Sequence, residues 1–188
     1  FRSVREFVGP ALNLEGAVCH GDRVRLFQRG NAGSDGSPSV NAVGDLSLDG
    51  FLAWLDATRS YTHGFYAAAD EDSTAAQARK LQHAIDVLGL EPGMEVFDMG
   101  CGWGAFLEYA GARGIRVQGI TLSRDQHAFV SDRIRSQGLP GRVECVDFLD
   151  YRPGRRFDGA VFMGSLEHLP DYRHMGRFLA EHLAPQAG

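Results

Sequence analysis

The run Phe97-Asp98-Met99-Gly100-Cys101-Gly102-Trp103-Gly104 is a strand-like apolar pattern that meets an acid and breaks into a Gly-x-Gly-x-Gly turn before a helical stretch. Glycines in such a turn allow positive φ and a close approach of backbone to ligand, and the helix behind it presents unpaired N–H groups to a carboxylate or phosphate. Two cofactor classes use this arrangement: dinucleotides, and S-adenosylmethionine, whose carboxylate would rest on the turn while its ammonium lies near an acid such as Asp98. The dinucleotide fingerprint requires Gly-x-Gly-x-x-Gly and an acid about 20 residues on. Here the third glycine comes one residue early and position 120 is Ile. The spacing favours S-adenosylmethionine over a dinucleotide, and both over a tight turn with no ligand.

Three further segments bear on the same chemistry. Val117-Gln118-Gly119-Ile120-Thr121-Leu122-Ser123-Arg124-Asp125-Gln126 reads as a strand entering a helix, with Ser123 as N-cap and Gln126 closing a capping box. Tyr61-Thr62-His63-Gly64-Phe65-Tyr66 lies upstream, and Phe162-Met163-Gly164-Ser165-Leu166-Glu167-His168-Leu169 lies downstream. In this order and spacing the segments resemble the cyclopropane-fatty-acid synthase family, which includes the mycolic acid cyclopropane synthases, all S-adenosylmethionine-dependent methyltransferases. The resemblance runs from about Asp49 to the end of the chain. It implies cofactor contacts at Tyr61 and Thr62, at Asp98, Gly100, Gly102, Trp103 and Gly104, at Thr121, Leu122 and Gln126, and at Asp147 and Phe148. Many nucleotide-binding sheets end the second strand on a carboxylate for the ribose hydroxyls, whereas Thr121 and Gln126 offer neutral groups there. Asp147 is placed to accept from the adenine amino group and Phe148 to cover the ring. Helix capping for Thr121 and Gln126, and core packing for Phe148, are the competing roles.

For catalysis the resemblance singles out Glu167, where the family has a glutamate that helps hold a bicarbonate used as general base. The competing role is a solvated acid at the start of a loop. His168 follows directly, and because adjacent side chains diverge it is expected to be structural or exposed. The family typically carries a cysteine where this chain has His63. That departure leaves three options: an imidazole base, a site without bicarbonate that performs plain C-methylation, or a loop histidine facing solvent. Cys101 matches the family's Gly-Cys-Gly turn, where small size is the requirement. The implied reaction is transfer of the sulfonium methyl to an alkene carbon of a lipid-like or natural-product substrate, leading to a cyclopropane or a methylated alkene. A small-molecule O- or N-methyltransferase and a non-catalytic cofactor binder are the alternatives.

The elements that must position these residues follow from periodicity. A helix from Ser73 carries Leu81, Ala84, Ile85 and Leu88 on one face, with Thr74 and Gln77 as its capping box, and Pro92-Gly93 turns the chain. Strands are predicted over 94–98, 116–121, 143–147 and 157–163, and helices over 103–112, 123–137 and 171–183. This alternation predicts a doubly wound α/β fold, a parallel sheet with helices on both faces, of the class I methyltransferase type. Such a sheet normally has seven strands, so the turn at Ala184-Pro185 is expected to lead into a fifth and the last strands to lie beyond this chain. Residues 1–48 read as an N-terminal appendage and linker: Val24-Arg25-Leu26-Phe27 is a candidate strand, and Asn31 to Asp45, rich in Gly, Ser and Asn, a mobile loop. The methyltransferase domain is 49–188.

Composition narrows the partners. The 188 residues are 44% hydrophobic, enough for one domain with a core, and contain no apolar run long enough to span a bilayer. A net charge of −5 without a Lys/Arg cluster argues against nucleic acid. Cys19, Cys101 and Cys145 are widely spaced and follow no secretory segment, which points to a reducing, cytoplasmic setting. His20, His83, His127, His174 and His182 lack metal-ligand spacing and read as surface positions, so no metal is expected.

Overall fold

The computed structural model describes residues 55–169 and 171–185, together with the backbone of three strands nearer the N-terminus. The chain divides into two units between Trp54 and Leu55. In the first, β1 (Leu14–His20), β2 (Arg23–Gln28) and β3 (Ala42–Ser47) form an antiparallel sheet in that order. The predicted strand at 24–27 lies in β2. Residues 42–45, expected within a mobile loop, instead belong to β3, where Gly44 pairs with Leu26 and Asp45 with Arg25. Ladder hydrogen bonds along the second edge of β2 outweigh the weak strand preference of Gly and Asp. Positions 31–41 lie outside the described residues.

The second unit holds α1 (Ser73–Leu88), β4 (Glu95–Met99), α2 (Ala105–Gly111), β5 (Arg116–Thr121), α3 (Arg124–Gln137), β6 (Gly141–Cys145), β7 (Gly159–Val161), a 3-10 turn (Leu166–His168) and α4 (Tyr172–His182). The sheet is parallel, in the order β6-β5-β4-β7. From β4 the chain winds outward through β5 and β6, then crosses back to place β7 on the other side of β4. The gap between β4 and β7 is therefore the topological switch point, where open α/β sheets bind ligands beyond the strands' carboxyl ends.

Side chains of β4 alternate between two cores. Val96 faces a cluster with Leu81 and Ile85 of α1, Phe106 and Leu107 of α2 and Val130 of α3. Phe97 and Met99 face the other side, where Phe148, Tyr151, Phe157 and Phe178 of α4 collect around them. Phe97 stacks on Tyr151 at 5.3 Å between ring centroids and on Phe157 at 5.4 Å. Helices thus cover both faces, as the alternation predicted. After α4, Leu183 pairs in parallel with Phe157, whose N–H donates to the His182 carbonyl at 2.7 Å.

Three local expectations are corrected. The N-cap of α1 is Asp72, whose carboxylate accepts from the N–H groups of Thr74 and Ala75 at 3.0 and 3.3 Å, so Thr74 and Gln77 form no capping box. A carboxylate accepts from two N–H groups at once and suits the positive helix end better than a hydroxyl two residues inside. At α3, Ser123 does cap the N–H of Gln126 at 3.2 Å, but the reciprocal bond is missing because Oε1 of Gln126 accepts from Thr121 instead. Strand β7 covers only three residues of the predicted 157–163.

Candidate functional site

The site is built on the carboxyl ends of β4 and β5. Asp98 pairs across the sheet with Gly119 on one side and Val161 on the other, and it is 2% exposed. Burial pushes its carboxyl up to about 7. Beyond it the turn hangs from β5, with the N–H groups of Gly100 and Cys101 both donating to the Ile120 carbonyl at 3.1 and 3.0 Å. Gly100 has φ +78°, and a Cβ there would come within 2.8 Å of the Ser165 Cβ. Glycine is required on both counts. The Ser165 hydroxyl donates to the Met99 carbonyl at 2.6 Å, locking the loop after β7 onto the same turn. Gly102, at φ +54°, lies under Tyr61, whose hydroxyl would be 3.6 Å from an added Cβ. Gly104 caps α2 without a side-chain bond.

Two cavities meet at Gly100. The first is lined by Ser60, Tyr61, Thr62, Asp98, Gly102, Trp103 and neighbouring residues. The second, of about 220 Å³, is lined by Thr121, Leu122, Asp147, Phe148, Ser165 and His168 among others. The structure thus gathers the Tyr61-Thr62 segment, Asp98 and the glycine turn around one cavity, and the ends of β5 and β6 around the other. Gln126 lines neither, but is tied to Thr121 by the 2.6 Å hydroxyl-to-Oε1 hydrogen bond. Asp147 spends one carboxylate oxygen on the N–H of Leu149 at 2.8 Å. Phe148 takes the core-packing role, edge-on against Phe178 at 5.0 Å, and also borders the second cavity.

Glu167 and His63 are both exposed and line neither cavity. Glu167 is nevertheless close to the first: a Cβ on Gly164 would lie 2.5 Å from Cγ2 of Thr62 and 4.0 Å from Oε1 of Glu167. Thr62 points inward and His63, its neighbour, outward. Cys101 is buried over Gly119, and burial together with the charge of Asp98 raises its thiol pKa well above the ordinary value, which keeps it a protonated filler. His174 and His182 are not plain surface positions. They pack on Phe148 and Phe178, at 5.4 and 4.8 Å between ring centroids.

Several residues that hold the site were not legible beforehand. Gln77 donates through Nε2 to the Thr62 carbonyl at 2.6 Å, and Lys80 donates to the Ser60 and Thr62 hydroxyls. Arg59, in the left-handed region at φ 59°, is paired with Glu108, which also accepts from Arg133 at 2.7 Å. The available signal was spacing: Gln77 and Lys80 sit one turn apart beside Leu81 and Ala84 on the inward stripe of α1. Among the described residues no group of His, Cys, Asp and Glu is arranged to hold a metal, and no helix is long and apolar enough to cross a membrane.

Residues 35–184 match the mycolic acid cyclopropane synthetase family. The tuberculostearic acid methyltransferase UfaA1 of Mycobacterium tuberculosis is 34% identical over 144 residues, covering 72% of this chain and 33% of that protein. The cyclopropane mycolic acid synthase MmaA2 of the same species is 35% identical over 146 residues, covering 76% and 50%. The solved structure of mycolic acid cyclopropane synthase CmaA1 complexed with SAH and CTAB superposes with a TM-score of 0.65 at 29% identity, over 73% of this chain and 50% of that one. The chain therefore spans a third to a half of the length of these relatives.

Proposed function

Since this chain belongs to the mycolic acid cyclopropane synthetase family, we propose that it carries the S-adenosylmethionine site of a C-methyltransferase that acts in the cytoplasm on an alkene of a lipid-like or natural-product substrate. The observation that carries the reading is Asp98: a carboxylate 2% exposed, pushed up to about 7 by burial and lining a cavity beside a positive-φ glycine turn, is suited to a ligand that brings its own ammonium. One relative named as a tuberculostearic acid methyltransferase, one named as a cyclopropane mycolic acid synthase, and one solved with SAH support the same reading.

When bound, the cofactor supplies an electrophilic methyl on a sulfonium. The chain's own work is to orient and enclose. Asp98 and the turn hold the amino-acid end, Thr121 with Gln126 offers neutral hydrogen-bonding groups to a ribose, and Asp147 and Phe148 border the space for the base. Alignment of the methyl with an acceptor carbon and exclusion of water are the main catalytic terms. The alkene π pair forms the new C–C bond as the methyl–sulfur bond breaks, that bond's electron pair departing with the neutral thioether S-adenosylhomocysteine, and a cation is left on the substrate. Glu167, across Gly164 from Thr62, accepts the proton that this cation must lose, directly or through bicarbonate, with His63 the secondary candidate. Loss of a proton from the new methyl closes a cyclopropane; loss from another carbon leaves a methylated alkene.

The test is turnover with S-adenosylmethionine and phospholipid vesicles bearing monounsaturated acyl chains, read by mass spectrometry and proton NMR. A gain of one CH2 with cyclopropane or methyl-branch signals is expected. Methyl on oxygen or nitrogen alone would replace this reading with the heteroatom one, and cofactor binding without turnover on any acceptor would favour a non-catalytic binder.

A further inference from the structure

Lys80 stands one turn beyond Gln77 on α1, with Nζ 2.7 Å from Oγ1 of Thr62 and 3.0 Å from Oγ of Ser60. Those hydroxyl oxygens are 3.3 Å apart, and both residues line the cavity that contains Asp98 and the glycine turn. An ammonium has three donors and no acceptor, so both oxygens accept from Lys80. At most one hydroxyl proton is then used between the pair. At least one remains to be donated elsewhere, and the cavity that both residues line is open to it. Burial lowers the Lys80 pKa while the charge of Asp56 opposes the shift. The ammonium therefore acts in a partly desolvated place, where its field is strong.

We propose that Lys80 is a positioning residue that makes the Ser60–Thr62 hydroxyl pair a donor for the carboxylate of an α-amino-acid group in this cavity. The inference rests on the S-adenosylmethionine reading above. Asp98 meets the ammonium of that group and the hydroxyl pair meets its carboxylate, so one cavity carries both halves of the complement to a zwitterion. Lys80 reaches the ligand through the hydroxyls and through its charge.

Two probes separate this role from general support of the fold. S-adenosylhomocysteine carries the amino-acid group; 5′-methylthioadenosine has the adenosine and the thioether but neither carboxylate nor ammonium. By titration calorimetry, Lys80→Met should weaken S-adenosylhomocysteine roughly ten- to hundredfold, the usual range for a charge-assisted hydrogen bond, and leave 5′-methylthioadenosine unchanged. The paired change Ser60→Ala with Thr62→Val, which leaves Lys80 in place, should give the same selective loss, and Lys80→Met added to it should cost nothing more. Equal losses for both probes, or no loss for either, would overturn the proposal while leaving the cofactor site standing. A wild-type chain that binds neither probe would remove the cofactor reading itself.

Discussion

The Thr121 hydroxyl donates to Oε1 of Gln126 at 2.6 Å while accepting from the N–H of Ser123 at 3.2 Å. One buried side chain thus closes the end of β5, holds the first turn of α3, and leaves the Gln126 amide to present its NH2 as a donor. The capping box expected from sequence is replaced by a three-residue relay, and the relay borders the second cavity through Thr121.

Removing that hydroxyl while keeping the shape tests the relay. Thr121→Val leaves the Ser123 N–H and the Gln126 amide without their partner and should cost roughly 1–3 kcal/mol in stability. Because it acts at the nucleoside end, titration should show S-adenosylhomocysteine and 5′-methylthioadenosine weakened alike, about tenfold. Selective loss of the first alone would place the relay at the amino-acid end instead.

Gly102 should tolerate no branched residue. At φ +54° a valine stores strain of about 1–3 kcal/mol and sets its methyls against Tyr61. Gly102→Val is expected to lower the melting temperature modestly and to weaken S-adenosylhomocysteine by about tenfold or more. Unchanged affinity by calorimetry would mean that this turn does not meet the ligand.

Asp98 sets a pH dependence whose sign follows from its burial. Its folded pKa of about 7 lies above the ordinary 3.8, so the folded protein holds this proton more tightly than the unfolded chain does. The contribution to stability is fully present below about pH 4 and is lost as pH rises toward 7. An ammonium-bearing ligand prefers the ionised carboxylate. Affinity for S-adenosylhomocysteine should therefore rise about tenfold per pH unit up to pH 7 and then level off, with close to one proton released per ligand bound at pH 6. Calorimetry in buffers of different ionisation enthalpy measures that release. Asp98→Asn should flatten the profile; a wild-type profile already flat from pH 5 to 8 would disconnect Asp98 from the ligand.

Glu167→Gln keeps size and removes the base. Turnover should fall on the order of 100- to 10,000-fold with cofactor affinity little changed. His63→Cys introduces the residue typical of the family. With bicarbonate as the operating base, that variant should keep its activity and gain from added bicarbonate; with His63 as the base, its rate should fall steeply without rescue. Initial rates for both variants decide between them, and near-normal rates in both would assign the proton to another group.

The alternation of strands and helices and the glycine turn after β4 were legible in the sequence because each depends on near neighbours. Val96 and Phe97 reveal a strand by their own pattern, and Gly100 reveals a turn by lacking a side chain. What depended on distant partners was not legible. Gln77 read as half of a capping box, yet it faces the Thr62 carbonyl, fifteen residues earlier in sequence. Gly44 and Asp45 read as loop, yet they pair with β2. Local propensity is worth a fraction of a kcal/mol per residue, so a ladder partner or a buried acceptor overrides it. The sequence by itself determined the doubly wound α/β class and the position of the glycine turn, since both are written in short-range periodicity. Only the tertiary structure decided that Asp98 is buried, that Lys80 holds the Ser60–Thr62 pair, and that Thr62 faces the cavity while His63 faces solvent, because burial and pairing are set by which elements pack across the switch point.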